Sequence, residues 1–164
     1  MVSYRKLTED DCEFILEHWV GNSAVFSKAN MTKAQLWQMI QHMNSQKYNG
    51  NYYEMFGILN EDILVGTFSF YQRDCDLEAE AVCLGVEIDV NNRRQGFATS
   101  AVLMSLEIAK EKGFEKMVSQ ARTYNIASVN LHKKCGFKIV EKVINVRGHE
   151  VYNFEYVLAD KHQC

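Results

Sequence analysis

The chain contains no proline. Glycine, asparagine and aspartate must therefore build its turns, and it has no long Pro-rich linker. It also lacks any C-x-x-C pair. Its five cysteines, Cys12, Cys75, Cys83, Cys135 and Cys164, are odd in number and scattered. That pattern suits single reduced thiols better than a disulfide framework or a zinc site, so no metal is expected. There is no basic excess: 18 lysines and arginines stand against 21 acidic residues, a formal net charge of −3. A nucleic-acid partner is accordingly not expected. No apolar run is long enough to span a bilayer, so no membrane association is expected. The opening Met1-Val2-Ser3-Tyr4-Arg5-Lys6-Leu7 turns acidic at Glu9-Asp10-Asp11 and lacks the apolar core of a secretion signal. A cytoplasmic location is the expectation.

What is present suits one compact domain over residues 1–164, with 47% hydrophobic and 24% charged residues. Val2 to Leu7 reads as a strand. Thr8 and Asp11 mark a helix start, followed by Cys12, Ile15, Leu16 and Trp19 at helical spacing, and Gly21-Asn22 closes that helix. A second helix from Thr32 to Met43 carries the stripe Leu36, Met39, Ile40 and Met43. After a polar loop from Ser45 to Asn51, strands are predicted over Tyr53 to Leu59 and Leu64 to Tyr71, with Asn60-Glu61-Asp62 as their turn. Arg73 to Glu78 reads as an acidic connection. Ala79 to Val90 alternates as a strand. A helix follows the turn Asn91 to Ala98 and runs to Lys112, with Gly113 at its end. Then come a strand from Phe114 to Ala121, a short helix from Ile126 to Cys135 ended by Gly136, and a hairpin of Phe137 to Val146 with Val151 to Leu158. This mixed order predicts an α/β or α+β fold with a largely antiparallel sheet.

The segment with most chemistry is the junction of strand, turn and helix around Arg93-Arg94-Gln95-Gly96-Phe97-Ala98. A helix opening directly from such a turn has unsatisfied first-turn N–H groups and a dipole that favours an anion. Gly96 permits close approach of a phosphate, and Arg93 and Arg94 add positive charge. An ordinary solvated turn could have the same composition. The turn has no G-x-G-x-x-G run, which sets aside a dinucleotide fold, and no G-K-[ST], which sets aside a P-loop.

The run Arg93 to Ala98 resembles the Q/R-x-x-G-x-G/A signature of the GNAT superfamily of N-acetyltransferases. Downstream, Asn125-Ile126-Ala127-Ser128-Val129-Asn130-Leu131-His132-Lys133-Lys134-Cys135-Gly136-Phe137 resembles the N-x-x-[SA]-x-x-L-Y-x-K-x-G-F block of the same superfamily. The resemblance covers Ala79 to Phe137. It implies a mixed, mostly antiparallel sheet with splayed fourth and fifth strands, flanked by helices. It implies acetyl-CoA as co-substrate. The pyrophosphate would lie over Arg93, Arg94, Gln95, Gly96, Phe97, Ala98 and Thr99. The pantetheine arm would pair with the backbone of Val86 and Ile88 and meet Asn125 and Ser128, with Lys133 and Lys134 near the same side.

The resemblance also implies an amine acceptor, acetylated by direct transfer in a ternary complex. A backbone N–H near Ile88 would polarise the thioester carbonyl. Glu80, at the position where some members carry a catalytic Glu, is the expected base, with Glu87 as runner-up. The block departs from the family at His132, where a Tyr commonly credited with protonating the CoA thiolate often stands. An imidazole can donate a proton, so His132 is the expected acid. The variable first half would form the acceptor walls, with Trp37, Tyr52, Tyr53 and Tyr71 as candidates and the acidic run Asp74, Asp76, Glu78 and Glu80 suited to a cationic amine. The sequence leaves a homodimer open. It leaves open, too, a non-catalytic acyl-CoA-binding module and an interaction domain without cofactor.

Overall fold

The alternating segments of the middle of the chain become adjacent strands of one sheet in the computed structural model, which describes residues 1–18, 31–45, 52–72 and 80–158. In chain order the elements are β1 (Val2–Lys6), α1 (Asp11–His18), α2 (Lys33–Asn44), β2 (Tyr53–Asn60), β3 (Ile63–Tyr71), β4 (Ala81–Ile88), α3 (Phe97–Glu111), β5 (Lys116–Arg122), α4 (Ile126–Lys134), β6 (Lys138–Ile144) and β7 (Glu150–Val157). Trp19, the helix end at Gly21-Asn22, most of the loop before β2, the acidic residues Asp74, Asp76 and Glu78, and Cys75 and Cys164 lie outside the described residues.

The strands form a seven-stranded sheet in the order β1-β2-β3-β4-β5-β7-β6. Every neighbouring pair is antiparallel except β4 and β5, which run parallel. The fold is therefore the mixed, mostly antiparallel sheet that the sequence predicted. Two cores flank it. On one face α3 and α4 bury Phe97, Val102, Leu106 and Val129 against Phe56, Phe68, Phe70, Val82, Leu84 and Ile88. On the other, α1 and α2 bury Cys12, Ile15, Leu36, Ile40 and Met43 against Tyr53, Met55 and Leu59. The strand alternation of two residues sends consecutive side chains of β2, β3 and β4 to these two cores in turn.

Local chemistry sets the helix starts. Thr32 caps α2 in a reciprocal box with Gln35. At α1 the Asp11 carboxylate accepts the Thr8 N–H at 2.7 Å, so the predicted pair is present and the helix begins at Asp11. The strand expected to reach Val90 stops at Ile88. Asp89 is 1% exposed, donates its N–H to the Val65 carbonyl and accepts a hydrogen bond from the Asn92 side chain. The chain then makes a 3-10 turn at Val90–Asn92. Among the described residues no helix is long and apolar enough to cross a membrane.

Candidate active site

The parallel pairing of β4 and β5 is short. It joins Ala81 to Lys116, Val82 to Met117 and Cys83 to Val118, and goes no further. Beyond that point β4 continues to Ile88 and β5 to Arg122, so the two strands form a fork with its apex at Cys83–Val118. Asp89 donates its N–H toward β3. By alternation along the strand, Leu84, Val86 and Ile88 turn their N–H and C=O groups the other way, into the fork. At the apex the Leu84 carbonyl meets the Ser119 hydroxyl at 3.3 Å. At the open end the Ile88 carbonyl accepts from Arg93 Nε at 3.1 Å. Between them, among the described residues, no strand pairs with Val86 on the fork side. The sequence selected Val86 and Ile88, and both lie on this edge.

The open end leads into the arginine turn. Arg94 and Gly96 both have positive φ, 63° and 84°. Gly96 is the N-cap of α3 and offers no side chain to the helix, so the first-turn N–H groups of Phe97, Ala98 and Thr99 have no side-chain cap. A Cβ placed on Gly96 would meet nothing within 4 Å. Glycine is thus required here by backbone conformation, and the space above the turn is open. Phe97 anchors the turn in the core, while Arg93, Arg94 and Gln95 are exposed. An uncapped helix start preceded in the chain by two exposed arginines has the chemistry to hold an anionic group such as a phosphate.

On β5 and α4 the residues chosen from the sequence meet one that was missed. Asn125 caps α4 by accepting the Ser128 N–H at 3.2 Å, so its carboxamide oxygen is engaged by its own helix. His132 is 7% exposed. Its ring stacks on Phe154 at 4.5 Å and meets the edge of Phe137 at 5.4 Å. Nδ1 lies 2.7 Å from the Ser128 carbonyl, which can only accept, so Nδ1 carries a hydrogen. Nε2 lies 2.8 Å from Ser119 Oγ. Burial pushes the imidazole below its ordinary pKa, opposed in part by the Ser128 carbonyl. His132 therefore rests neutral with Nε2 as acceptor, and Ser119 links it to the fork. The signal for Ser119 was present in the sequence: it is the one hydroxyl at an inward position of β5, between Met117 and Ala121, which are both buried.

The carboxylates fall at two different places. Glu80 precedes β4 at the closed end of the fork, where its carbonyl accepts the N–H of Glu115 at 2.8 Å. Glu87 lies on the open stretch of β4, opposite Thr67, and shares its face with Cys83 and Gly85. That face is the one covered by α1 and α2, where Trp37 and Tyr71 pack and Tyr53 stacks on Tyr71 at 6.0 Å. Tyr52 belongs to the other face. Its hydroxyl donates to Glu54 at 2.8 Å and its ring meets Phe114. The cysteine thiols are poor nucleophiles where a shift is resolved: burial pushes Cys12 up to about 11 and raises Cys135. Among the described residues no group of three or more His, Cys, Asp or Glu is arranged to hold a metal.

Known structures share this architecture. A ribosomal-protein-alanine N-acetyltransferase from Brucella melitensis superposes with a TM-score of 0.77 at 19% identity, covering 94% of this chain and 99% of its own. The yncA protein of Salmonella typhimurium, solved with its cofactor acetyl-CoA, gives 0.76 at 19% identity, with 99% and 96% coverage. A spermidine N-acetyltransferase from Vibrio cholerae in complex with CoA and spermine gives 0.76 at 16% identity, with 96% and 95% coverage. At these identities the likeness is one of fold. No curated protein matches the chain by sequence. The family model of the GNAT acetyltransferase domain does match, over residues 2–138, a span that holds the fork, the arginine turn and α4, and the chain belongs to that family.

Proposed function

We propose that this protein transfers the acetyl group of acetyl-CoA to a primary amine of a small molecule or protein, by direct attack in a ternary complex. One observation carries the reading: pairing of β4 and β5 ends at Cys83–Val118, and the backbone edge so exposed runs directly to the uncapped start of α3. The pyrophosphate binds over Arg93 to Thr99. The pantetheine arm pairs with Val86 and Ile88, as an added strand pairs with a sheet edge, and runs past α4 at Asn125 and Ser128. The thiol end then points toward the apex. A β4 backbone N–H polarises the thioester carbonyl.

The amine enters from the face of α1 and α2 and must lose a proton before it attacks. Glu80, just before β4, and Glu87, within it, are the two candidate carboxylates. Glu87 is the better placed, because it stands on the open stretch beside Gly85 whereas Glu80 stands at the closed end. No acyl-enzyme is involved. The test has two stages. Acetyl-CoA should raise the melting temperature of the purified protein by mass action. A panel of primary amines, including a polyamine and a peptide with a free N-terminal alanine, should then release free thiol from acetyl-CoA. Binding without thiol release from any amine would make the protein an acyl-CoA sensor. Failure to bind acetyl-CoA would overturn the proposal.

A further inference from the structure

We propose that the Ser119 hydroxyl at the apex of the fork, backed by His132, is the proton relay that serves the sulfur of coenzyme A. This rests on the transferase reading above and assigns a catalytic residue to it. Three features meet at one point. First, the last strand pair is Cys83–Val118, so Ser119 is the first residue of β5 beyond the pairing. Its hydroxyl lies 3.3 Å from the Leu84 carbonyl, the first β4 group turned into the fork. An arm that starts at the α3 turn and follows β4 from Ile88 to Leu84 travels about 13 Å, and there the closed ladder stops it. The reactive end is thereby brought to Ser119.

Second, Ser119 Oγ is 2.8 Å from His132 Nε2, and the Ser128 carbonyl holds the ring hydrogen on Nδ1. The single Ser119 hydrogen has two acceptors, Nε2 at 2.8 Å and the Leu84 carbonyl at 3.3 Å, and in the resting state it lies on the shorter contact, to Nε2. Third, the imidazole is neutral and surrounded by uncharged groups: Ser119 from β5, the Ser128 carbonyl of its own helix, Phe137, and Phe154 from β7. Lys133 and Lys134 on the same helix are exposed. An imidazolium formed in that setting returns its proton readily.

The steps balance. The ammonium of the acceptor first loses one proton to a β4 carboxylate. The amine then attacks the thioester carbon, forming a C–N bond and an oxyanion while nitrogen still holds an extra proton. Ser119 Oγ takes that proton as its own O–H proton passes to His132 Nε2. When the C–S bond breaks, the sulfur leaves with the electron pair. It takes the proton of Ser119, and His132 Nε2 returns its proton to Oγ. Products are the amide, the free thiol and one proton, which the β4 carboxylate gives up to solvent, and Ser119 and His132 end as they began. Deletion of either group also removes the partner of the other, so a relay differs from a packing role in its proton signature.

The experiment uses the intact chain with two variants, S119A and S119T, read by two methods. With an amine that the wild type acetylates, S119A should lower kcat by about a hundredfold, the scale of one lost acid–base group. The acetyl-CoA dissociation constant should stay within about twofold, and S119T should recover most of the rate. Solvent deuterium measurements should show two protons in flight in the wild type and a smaller effect in S119A. Independently, 15N NMR of His132 should show the Nδ1–H tautomer, with an Nε2 resonance that moves when free coenzyme A binds the wild type but not S119A. That second arm needs no turnover. If coenzyme A binds and moves Nε2 but no amine is acetylated, the contact stands and the transferase reading fails. An unmoved Nε2 with coenzyme A bound, or a kcat and isotope effect in S119A equal to wild type, would overturn the relay.

Discussion

Arg5 grips Asp11 with both ends of its guanidinium: Nη1 lies 2.6 Å from Oδ2 and Nη2 lies 2.9 Å from Oδ1. The Thr8 N–H and hydroxyl donate to the same carboxylate at 2.7 and 3.1 Å. The pair ties β1 to the start of α1, and so fixes the helix layer over the open face of β4. Burial alone would raise the Asp11 carboxyl, but the Arg5 and Thr8 hydrogen bonds outweigh it and the net shift is downward. A carboxyl depressed in the folded state stabilises the fold above its unfolded value, and that contribution is lost as pH falls through the folded value. Asp11→Asn should therefore cost about 2 kcal/mol at pH 7. The gap between variant and wild type should narrow below about pH 4, near the unfolded value of 3.8. Urea titrations at pH 7 and pH 3.5 measure both, and a gap that is the same at each would refute the assignment.

Gly96 separates a folding effect from a binding effect. Its φ of 84° is costly for any residue with a Cβ, yet a Cβ there meets no atom within 4 Å. Gly96→Ala should cost about 1–2 kcal/mol of stability through backbone strain. Gly96→Glu adds a negative charge where the pyrophosphate is proposed to sit, so acetyl-CoA affinity should fall at least about a hundredfold while circular dichroism still reports a folded protein. Calorimetry that finds equal affinity in Gly96→Glu and wild type would remove the anion site from this turn.

The two β4 carboxylates can be told apart kinetically. If Glu87 accepts the ammonium proton, Glu87→Gln should lower kcat about a hundredfold, most severely at low pH, with acetyl-CoA binding intact. Glu80→Gln should then leave the pH–rate profile in place. The reverse result would give the role to Glu80 at the closed end of the fork. Two unchanged profiles would mean that the ammonium loses its proton without a β4 carboxylate.

The sheet and its helices were legible because each element carries its own pattern. The capping pair at Thr8, the glycines at 96, 113 and 136, and the alternation in β4 are all local signals. The arginine turn was legible for the same reason. Relations across the sheet were not. No local pattern told that Asp89 would end β4 by binding Val65 and Asn92, since that depends on the neighbouring strand. His132 could be singled out by its place in a motif, but its environment comes from β5 and β7, so its neutral state and its bond to Ser119 became visible only in three dimensions. Tyr52 and Tyr53 look alike in sequence, yet the two-residue period sends one to Glu54 and Phe114 and the other to Tyr71.

Gly85 offers a test of where the amine enters. It lies on β4 between Leu84 and Val86, with no side chain on the α1–α2 face, and its neighbour across β3 is Ser69. A Cβ placed there would stand 3.0 Å from Ser69 Oγ and 3.6 Å from Tyr71 Cε1. Its φ is not in the left-handed region, so alanine or valine is tolerated by the backbone, and any effect arises from the space that is filled. In the proposed binding mode the pantetheine arm would read the backbone from within the fork, whereas the proposed amine route passes over Gly85. Gly85→Val should therefore lower kcat/KM for the amine by about tenfold or more, the scale of a few methyl groups in a pocket, and leave the acetyl-CoA dissociation constant near wild type. Gly85→Ala should show a smaller loss in the same direction. A variant series in which acetyl-CoA affinity falls while the amine KM holds would place the acceptor elsewhere and make this face part of the coenzyme site.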